Sequence, residues 1–404
     1  MVRDMPSTKD SAASRPRRGE AARWQTAVDV LRLVRRQPGI TRAAAAQTLR
    51  LSSSSATEVT TRLRQLHLVE ETVAATTGRG RPTGALRANP DGPTVAVVNI
   101  RHEDFQIAVV DLDGTIVETH QGRHTGDDPA GLIARLRTDL REVRDDYGFR
   151  LRAVSIVVAG TVSSGRLVQA STLDWHDVDL GALDDGHQPR LPILMGNDAT
   201  LAGVAEARRG SGRDSRTMLY LTIEVGVGGV LIDNGVPAAG ATGAGGEFGH
   251  LPFGDRDLAC PCGARGCWDL EVDGRAMARH RGDRPPHDPR SYAVEAMTRA
   301  DGDPATTAAV RRCATAFGSG VAGLVNALDP DTVVLGGLAP QLRQLFPDAV
   351  AEGFDSGLMV FRRASPPPLL ATSLGAQAAV LGAAEVAFDA ILTATGLAEW
   401  AAQP

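Results

Sequence analysis

Three of the chain's four cysteines and one histidine fall within "GHLPFGDRDLACPCGARGCWD", Gly249 to Asp269. Cys260, Cys262 and Cys267 offer three soft thiolates in one loop, and His250 precedes them. Three sulfurs and an imidazole form a closed tetrahedral donor set suited to zinc, and with no open position the ion would be structural. A redox-active or merely buried thiol cluster is the alternative, against which Cys-Pro-Cys-Gly and Gly266-Cys267 read as loop and not core. Cys313, within the helix-like "VRRCATAFG", is expected to be a buried structural thiol. A second candidate is Asn197-Asp198, after the strand-like "LPILMG" and at the start of a helical stretch. There Asp198 could accept a hydrogen bond from a ligand hydroxyl or act as a base. Asn-Asp in that position also serves as a plain helix cap.

These residues need a scaffold, and 404 residues with 43% hydrophobic side chains are enough for two or three globular units. The N-terminus shows no secretory leader, and no apolar run is long enough to span a membrane. A cytoplasmic protein is expected, and in that reducing compartment clustered cysteines bind metal or do chemistry more often than they pair. Lys9 is the single lysine. A Walker-type phosphate loop and Schiff-base chemistry in the folded body both lack their amine.

Charge divides the chain. Residues 1–90 hold 16 basic and 7 acidic residues, the remainder 27 and 41, so only the N-terminal part suits a polyanion. Residues 1–20, rich in Ser, Pro and Arg, are expected to be a disordered basic tail. Val28, Leu31 and Val34 mark a helix ending before Pro38; Thr41 caps a second carrying Ala44, Ala45 and Leu49 inward; Ser52 caps a third with Ala56, Val59, Leu63 and Leu66 on one face. This is the pattern of a helix-turn-helix over 21–90. Its third helix would offer Ser53, Ser54, Ser55, Thr57, Glu58 and Arg62 to a DNA major groove. "LVEETVAATTGRGRPTGALRANP" follows as two strands around a wing tip, where Arg79 and Arg81 are suited to a narrow minor groove.

From Asp91, "TVAVVNIRHEDFQIAVVDLDGTIVETH" reads as two strands, followed by a helix near "DPAGLIARLRTDLREVRDDYG" and the strand "LRAVSIVVAG". A similar unit at "TMLYLTIEVGVGGVLIDNGVP" and a helix and strand at "LVNALDPDTVVLGGL" give an α/β body of two lobes over 91–404, with ligands expected at the strand ends.

In order, the helix-turn-helix, "GRGRP", "VVAGTV", "LPILMGNDAT", "EVGVGGVLIDNG", "GAGGEFGH", "CPCGARGCWD" and "DPDTVVLGG" resemble the ROK family (repressor, open reading frame, kinase), in particular its winged-helix regulators. The resemblance runs from about residue 24 to the end and implies an actin-like, two-lobed sugar-kinase fold behind the DNA-binding domain. It implies zinc on His250, Cys260, Cys262 and Cys267. It also makes Asp198 the position of the kinases' base and places Gly160, Asn197, Glu247, His250 and Asp269 around a sugar, with His250 serving metal and ligand by different ring nitrogens.

Departures from the kinase pattern point away from catalysis. Where the kinases carry an Asp-x-Gly-type phosphate turn, this chain has Asn99-Ile100-Arg101-His102-Glu103-Asp104, and the second phosphate segment reads Glu224-Val225-Gly226-Val227-Gly228-Gly229-Val230. Arg101 blocks close backbone approach, Asn99 lacks the carboxylate, Glu224 brings negative charge to a triphosphate, and Val225 lacks a hydroxyl. On the sugar side, Asp269 is shorter than the family's glutamate and Thr172 replaces an asparagine. The expectation is a non-enzymatic repressor of carbohydrate genes. It would act as a homodimer, or a pair of dimers, on an inverted-repeat operator, and would respond to a sugar or sugar phosphate. A sugar kinase carrying a DNA-binding appendage is the rival.

Overall fold

The structure is a computed structural model describing residues 18–73, 84–124, 128–170, 173–184 and 186–403. Contacts divide the chain into two units, Met1–Gly92 with Ala390–Pro404, and Pro93–Asp389. Among the described residues no single helix is long and apolar enough to cross a membrane.

The first unit opens with α1 (Arg18–Arg36), whose buried face carries Trp24, Ala27, Val28, Leu31 and Val34 at helical steps. It stops before Pro38, whose ring cannot continue a helix. A short strand β1 (Ile40–Thr41) leads into α2 (Arg42–Thr48), where Thr41 Oγ1 accepts a bond from the Ala44 amide at 3.1 Å. Then comes α3 (Ser53–Gln65), where Ser52 Oγ accepts from the Ser55 amide at 3.1 Å. Both caps fall where the sequence puts them. The inner face of α3 differs from expectation: Thr60 is buried, while Val59 and Leu66 are only half-buried. The Thr60 hydroxyl donates to the Ala56 carbonyl at 2.8 Å, which satisfies a polar group in the core. Ser52→Ala should cost about 1 kcal/mol of stability, read by chemical denaturation.

Strands β2 (Val69–Val73) and β3 (Gly84–Ala88) pair antiparallel, and β1 adds to the other edge of β3. Arg79 and Arg81 lie outside the described residues, as does nearly all of the expected basic tail.

In the body, the first lobe is a mixed sheet. Strands β4 (Thr94–Ile100), β5 (Asp104–Val110) and β6 (Ile116–Arg123) run antiparallel, where the sequence reading had two strands. The extra strand follows a turn tied by Asp111, whose Oδ1 accepts from the amides of Asp113 at 3.0 Å and Thr115 at 2.8 Å. After helix α4 (Pro129–Tyr147) the chain adds β7 (Leu151–Val158) parallel to β4. It then builds a small sheet of β8 (Thr161–Ser163), β9 (Arg166–Ala170) and β10 (Trp175–His176), and returns as β11 (Ile193–Asn197) beside β7. The lobe's sheet order is β11-β7-β4-β5-β6. Strand β4 is covered on both faces and correspondingly reads as an almost unbroken apolar run.

Helix α5 (Asp198–Arg209) leads to the second lobe: β12 (Thr217–Glu224), β13 (Gly226–Asp233) and β14 (Val236–Pro237), then helices α6 (Gly274–Arg281), α7 (Pro289–Arg299) and α8 (Pro304–Leu328). Strand β15 (Thr332–Gly337) follows, then α9 (Ala339–Leu345), α10 (Pro347–Gly357), α11 (Val360–Ala364) and β16 (Leu369–Ala371). Its sheet order is β14-β13-β12-β15-β16. Like β4, the central β12 has an antiparallel partner on one side and a parallel one on the other. Its core joins Leu219 and Leu335 to Phe317, Val321 and Trp268. Cys313 is fully buried on α8, as expected.

The chain ends with α12 (Ala378–Ile391) and α13 (Ala394–Ala401). The expected body of 91–404 is corrected here: it stops at Asp389, and α13 belongs to the first unit. Leu397 and Trp400 are buried there, and the Trp400 indole N–H donates to the Leu66 carbonyl at 2.8 Å. An apolar terminal helix carries no mark in its own sequence of which unit it will cover.

Candidate functional site

Asn197 ends β11 and caps α5, its Oδ1 accepting from the Thr200 amide at 3.0 Å. Its Nδ2 donates to the Gly160 carbonyl at 3.1 Å, so both ends of the side-chain amide are already engaged and the expected sugar contact would be a shared one. The cap reading and the site reading therefore both describe this residue. Thr161, next to Gly160, donates its hydroxyl to Glu247 Oε1 at 2.9 Å. Glu247 in turn lies 3.9 Å by Oε2 from His250 Nε2. Gly160, Asn197, Glu247 and His250 thus belong to one continuous polar run, to which Thr161 is an addition the sequence reading missed. Its only signal was adjacency to the glycine of "VAGTV".

Asp198 opens α5, and its Oδ1 accepts from the Ala199 amide at 2.9 Å. Burial pushes its carboxyl up to about 6; the charges of Glu224 and Glu247 add to the rise, and the Ala199 amide opposes it. A carboxylate held near neutrality can accept a proton from a hydroxyl. The folded protein consequently holds this proton more tightly than the unfolded chain, and the ionised group subtracts stability as pH rises through its folded value. Asp198→Asn should raise Tm near pH 7.5 by the equivalent of about 1–3 kcal/mol, a gain that fades as pH falls towards the unfolded carboxyl's value.

The other half of the run is the cysteine loop. His250 turns Nδ1 towards Cys260 Sγ, 3.9 Å away, while Cys262 and Cys267 place their sulfurs 3.7 Å apart. The four donor atoms lie within 4.8 Å of one another. Ligands at about 2.3 Å on a tetrahedral ion stand roughly 3.7 Å apart, so the loop fits one ion. A disulfide would need about 2.05 Å, and all three thiols are free. The loop is shaped by its backbone: the Cys260 amide donates to the Ala264 carbonyl and the Gly263 amide to the Cys260 carbonyl, both at 2.9 Å. Gly263 sits at φ +94, where a side chain would be strained. Burial raises the Cys267 thiol to about 12, so an incoming cation must displace protons.

Trp268 anchors this loop. It is buried, stacks on Phe317 with ring centroids 5.8 Å apart, and donates its indole N–H to the Ala316 carbonyl at 3.1 Å. Its neighbour Asp269 has a second use that the sequence reading missed. Oδ1 accepts from the Val227 amide at 2.7 Å and Oδ2 lies 3.5 Å from His250 Nδ1. Asp269 therefore stitches the start of β13 to the cysteine loop and sits beside His250. A Cβ on Gly249 would meet Asp269 Oδ1 at 1.9 Å, which explains the glycine. Glu224, at the end of β12, is paired with Arg290 of α7, a partner the sequence gave no means to foresee.

In the first unit, α3 leaves Ser53, Ser54, Ser55, Thr57 and Glu58 exposed. The Thr57 hydroxyl is turned back to the Ser53 carbonyl at 2.8 Å. Arg62, expected to face a groove, lays its guanidinium over the Trp24 ring, 3.7 Å from its centroid.

The family model for ROK matches residues 95–390. The chain belongs to the ROK family. Its relatives fall on both sides of the kinase–regulator divide. A glucokinase from Streptomyces coelicolor is 28% identical over 72% of this chain and 96% of its own length. A xylose repressor from Bacillus subtilis is 23% identical over 80% of this chain and 86% of its own. The crystal structure of a ROK family transcriptional regulator, a homologue of the E. coli Mlc protein, superimposes with a TM-score of 0.74 at 22% identity, covering 94% of this chain and 99% of that one. The body thus has the actin-like ROK sugar-kinase fold.

Proposed function

We propose that the protein is a DNA-binding transcriptional repressor of carbohydrate-related genes whose ROK body has become a sugar sensor. One observation carries the reading: a ROK regulator shares the fold over 94% of the chain, whereas the glucokinase relative aligns with only 72% of it. The first unit, read as a winged helix-turn-helix, would set the exposed start of α3 in the major groove and Arg79 and Arg81 in the adjacent minor groove. The surplus of basic residues over 1–90 supports an affinity that falls with salt. Two copies of the chain would read an inverted repeat in the cytoplasm.

In the body, the sugar would be held by Asp198, Glu247 and the Nε2 side of His250, with Gly160, Asn197 and Asp269 keeping those groups in place. The metal is best read as zinc, whose closed site would orient His250 and take no part in chemistry. Glu224, already paired with Arg290, puts a carboxylate in the segment where the kinases hold phosphate. A sugar can act on DNA affinity only through unequal affinity for the two states of the body.

The kinase reading is favoured by Asp198, whose near-neutral carboxyl suits a base. A coupled assay of ATP consumption over a panel of hexoses, pentoses and amino sugars separates the two. The sensor reading expects no sugar-dependent turnover; sustained turnover would make the protein a kinase.

A further inference from the structure

We propose that two copies of the chain associate through α8 and α11, the apolar start of α11 on each copy seating in a groove along the first half of α8 on the other. The inference deepens the two-copy part of the reading above and is measured without DNA, so either can fail alone. Every residue it uses lies in the body. Met359, Val360 and Phe361 are exposed by 53%, 80% and 64%, three apolar side chains in a row on the surface. Single exposed apolar residues are ordinary, whereas a contiguous patch of them marks an interaction surface.

Polar groups at the end of α8 pin this segment and keep its apolar side chains turned out. Asn326 Oδ1 accepts from the Met359 amide at 3.1 Å, and its Nδ2 donates to the Gly357 carbonyl at 2.9 Å. Arg362 is paired with Asp329, the residue that closes α8, and Arg363 Nε donates to the Leu358 carbonyl at 3.1 Å. Leu358 is buried and roots the segment in the body. A projection held in this way loses little conformational freedom when a partner covers it.

The groove has the opposite relief. It measures about 550 Å³ and is lined by Ala308, Arg311, Arg312, Thr315, Ala316 and Ser319 of α8. Thr315 donates its hydroxyl to the Arg311 carbonyl at 3.3 Å, and Ser319 to the Thr315 carbonyl at 3.0 Å. Both hydroxyl donors are already used, so an apolar occupant leaves neither unsatisfied. The exposed guanidiniums of Arg311 and Arg312 suit the face of an aromatic ring such as Phe361. Charge selects a second copy as the occupant. The two arginines lie in the first half of α8, and the exposed carboxylate of Asp329 stands at its other end, beside the apolar projection. An antiparallel crossing of two α8 helices brings each charged end onto its complement, with the opposed helix dipoles in favour. Projection and groove belong to one chain, so the contact is isologous and closes at two copies.

The test is sedimentation of the full chain without DNA over a range of concentrations. The proteins are wild type, Phe361→Lys, Val360→Lys, the double variant Arg311→Glu with Arg312→Glu, and the triple variant that joins Phe361→Lys to both arginine changes. Wild type should be dimeric. Phe361→Lys sets an ammonium against two guanidiniums, twice per dimer, and should weaken association about a hundredfold or more. Val360→Lys should act in the same direction and serves if far-UV circular dichroism shows Phe361→Lys unfolded. The double variant puts glutamates opposite Asp329 and should weaken association about tenfold or more. The triple variant turns the repulsion at Phe361→Lys into attraction, and should associate at least about tenfold more tightly than Phe361→Lys alone. A monomeric wild type overturns the proposal. So does a dimer that neither lysine variant weakens, since the copies then meet elsewhere and the patch serves another protein. Weakening without rescue in the triple variant overturns the seating of α11 in the groove. A dimer that behaves as expected but binds no DNA leaves this contact standing and overturns the DNA-binding reading alone.

Discussion

Cys267→Ser will empty the metal loop. The wild-type protein is expected to carry one zinc per chain by elemental analysis, and the variant well under one tenth of that. Two of the remaining ligands lie in the same short loop and the third, His250, has Glu247 and Asp269 at 3.9 and 3.5 Å from its ring nitrogens, so three donors cannot keep the closed geometry. The loss should spread, because Cys267 is followed by the buried Trp268 and then by Asp269, which holds the Val227 amide. Structural zinc contributes on the order of 10 kcal/mol to small domains that depend on it. Even a fraction of that is a large share of a typical 5–15 kcal/mol of net stability. Thermal unfolding should start markedly earlier, and sugar binding measured by calorimetry should vanish because His250 loses its orientation. Full zinc in Cys267→Ser would show that Cys267 is not a required ligand and that the closed three-sulfur site is wrong.

Asp198→Ala is expected to separate the two functions of the chain. The substitution removes the one carboxylate that opens α5 beside the polar run from Gly160 to His250, and it lies in the body and not among the residues of the first unit. DNA affinity without sugar should stay within about twofold of wild type, while the change produced by an active sugar should fall from tenfold or more to none, since coupling is limited by differential binding. The variant should also be no less stable near neutral pH, because burial already disfavours the charge it removes. A normal sugar response in Asp198→Ala would move the sensor site elsewhere.

The parts most legible in the sequence were those set by local chemistry. Thr41 and Ser52 cap their helices because a hydroxyl before an apolar periodic run answers the orphaned amides behind it. The metal set was readable because soft donors in one glycine-bearing loop have few other uses. Long-range pairings stayed hidden. Nothing near Glu224 points to Arg290, and nothing near Arg62 says that its guanidinium will lie on Trp24. The bond from the Val227 amide, 42 residues before Asp269, was equally hidden, since nothing near Asp269 points to that strand. The placement of α13 depended on which unit offered an uncovered apolar face, a property of the folded surface and not of the residues between 394 and 401.

The most direct measurement is fluorescence anisotropy of the purified protein against its own upstream DNA at low and moderate salt, with and without a panel of sugars and sugar phosphates. The account predicts tight binding that weakens steeply with salt, by about a hundredfold or more if several phosphates are neutralised, and is altered by one sugar. Arg79→Ala or Arg81→Ala should each lower the salt slope by about one. Absence of binding at either salt, or binding that no sugar changes while ATP is consumed with one, would contradict it.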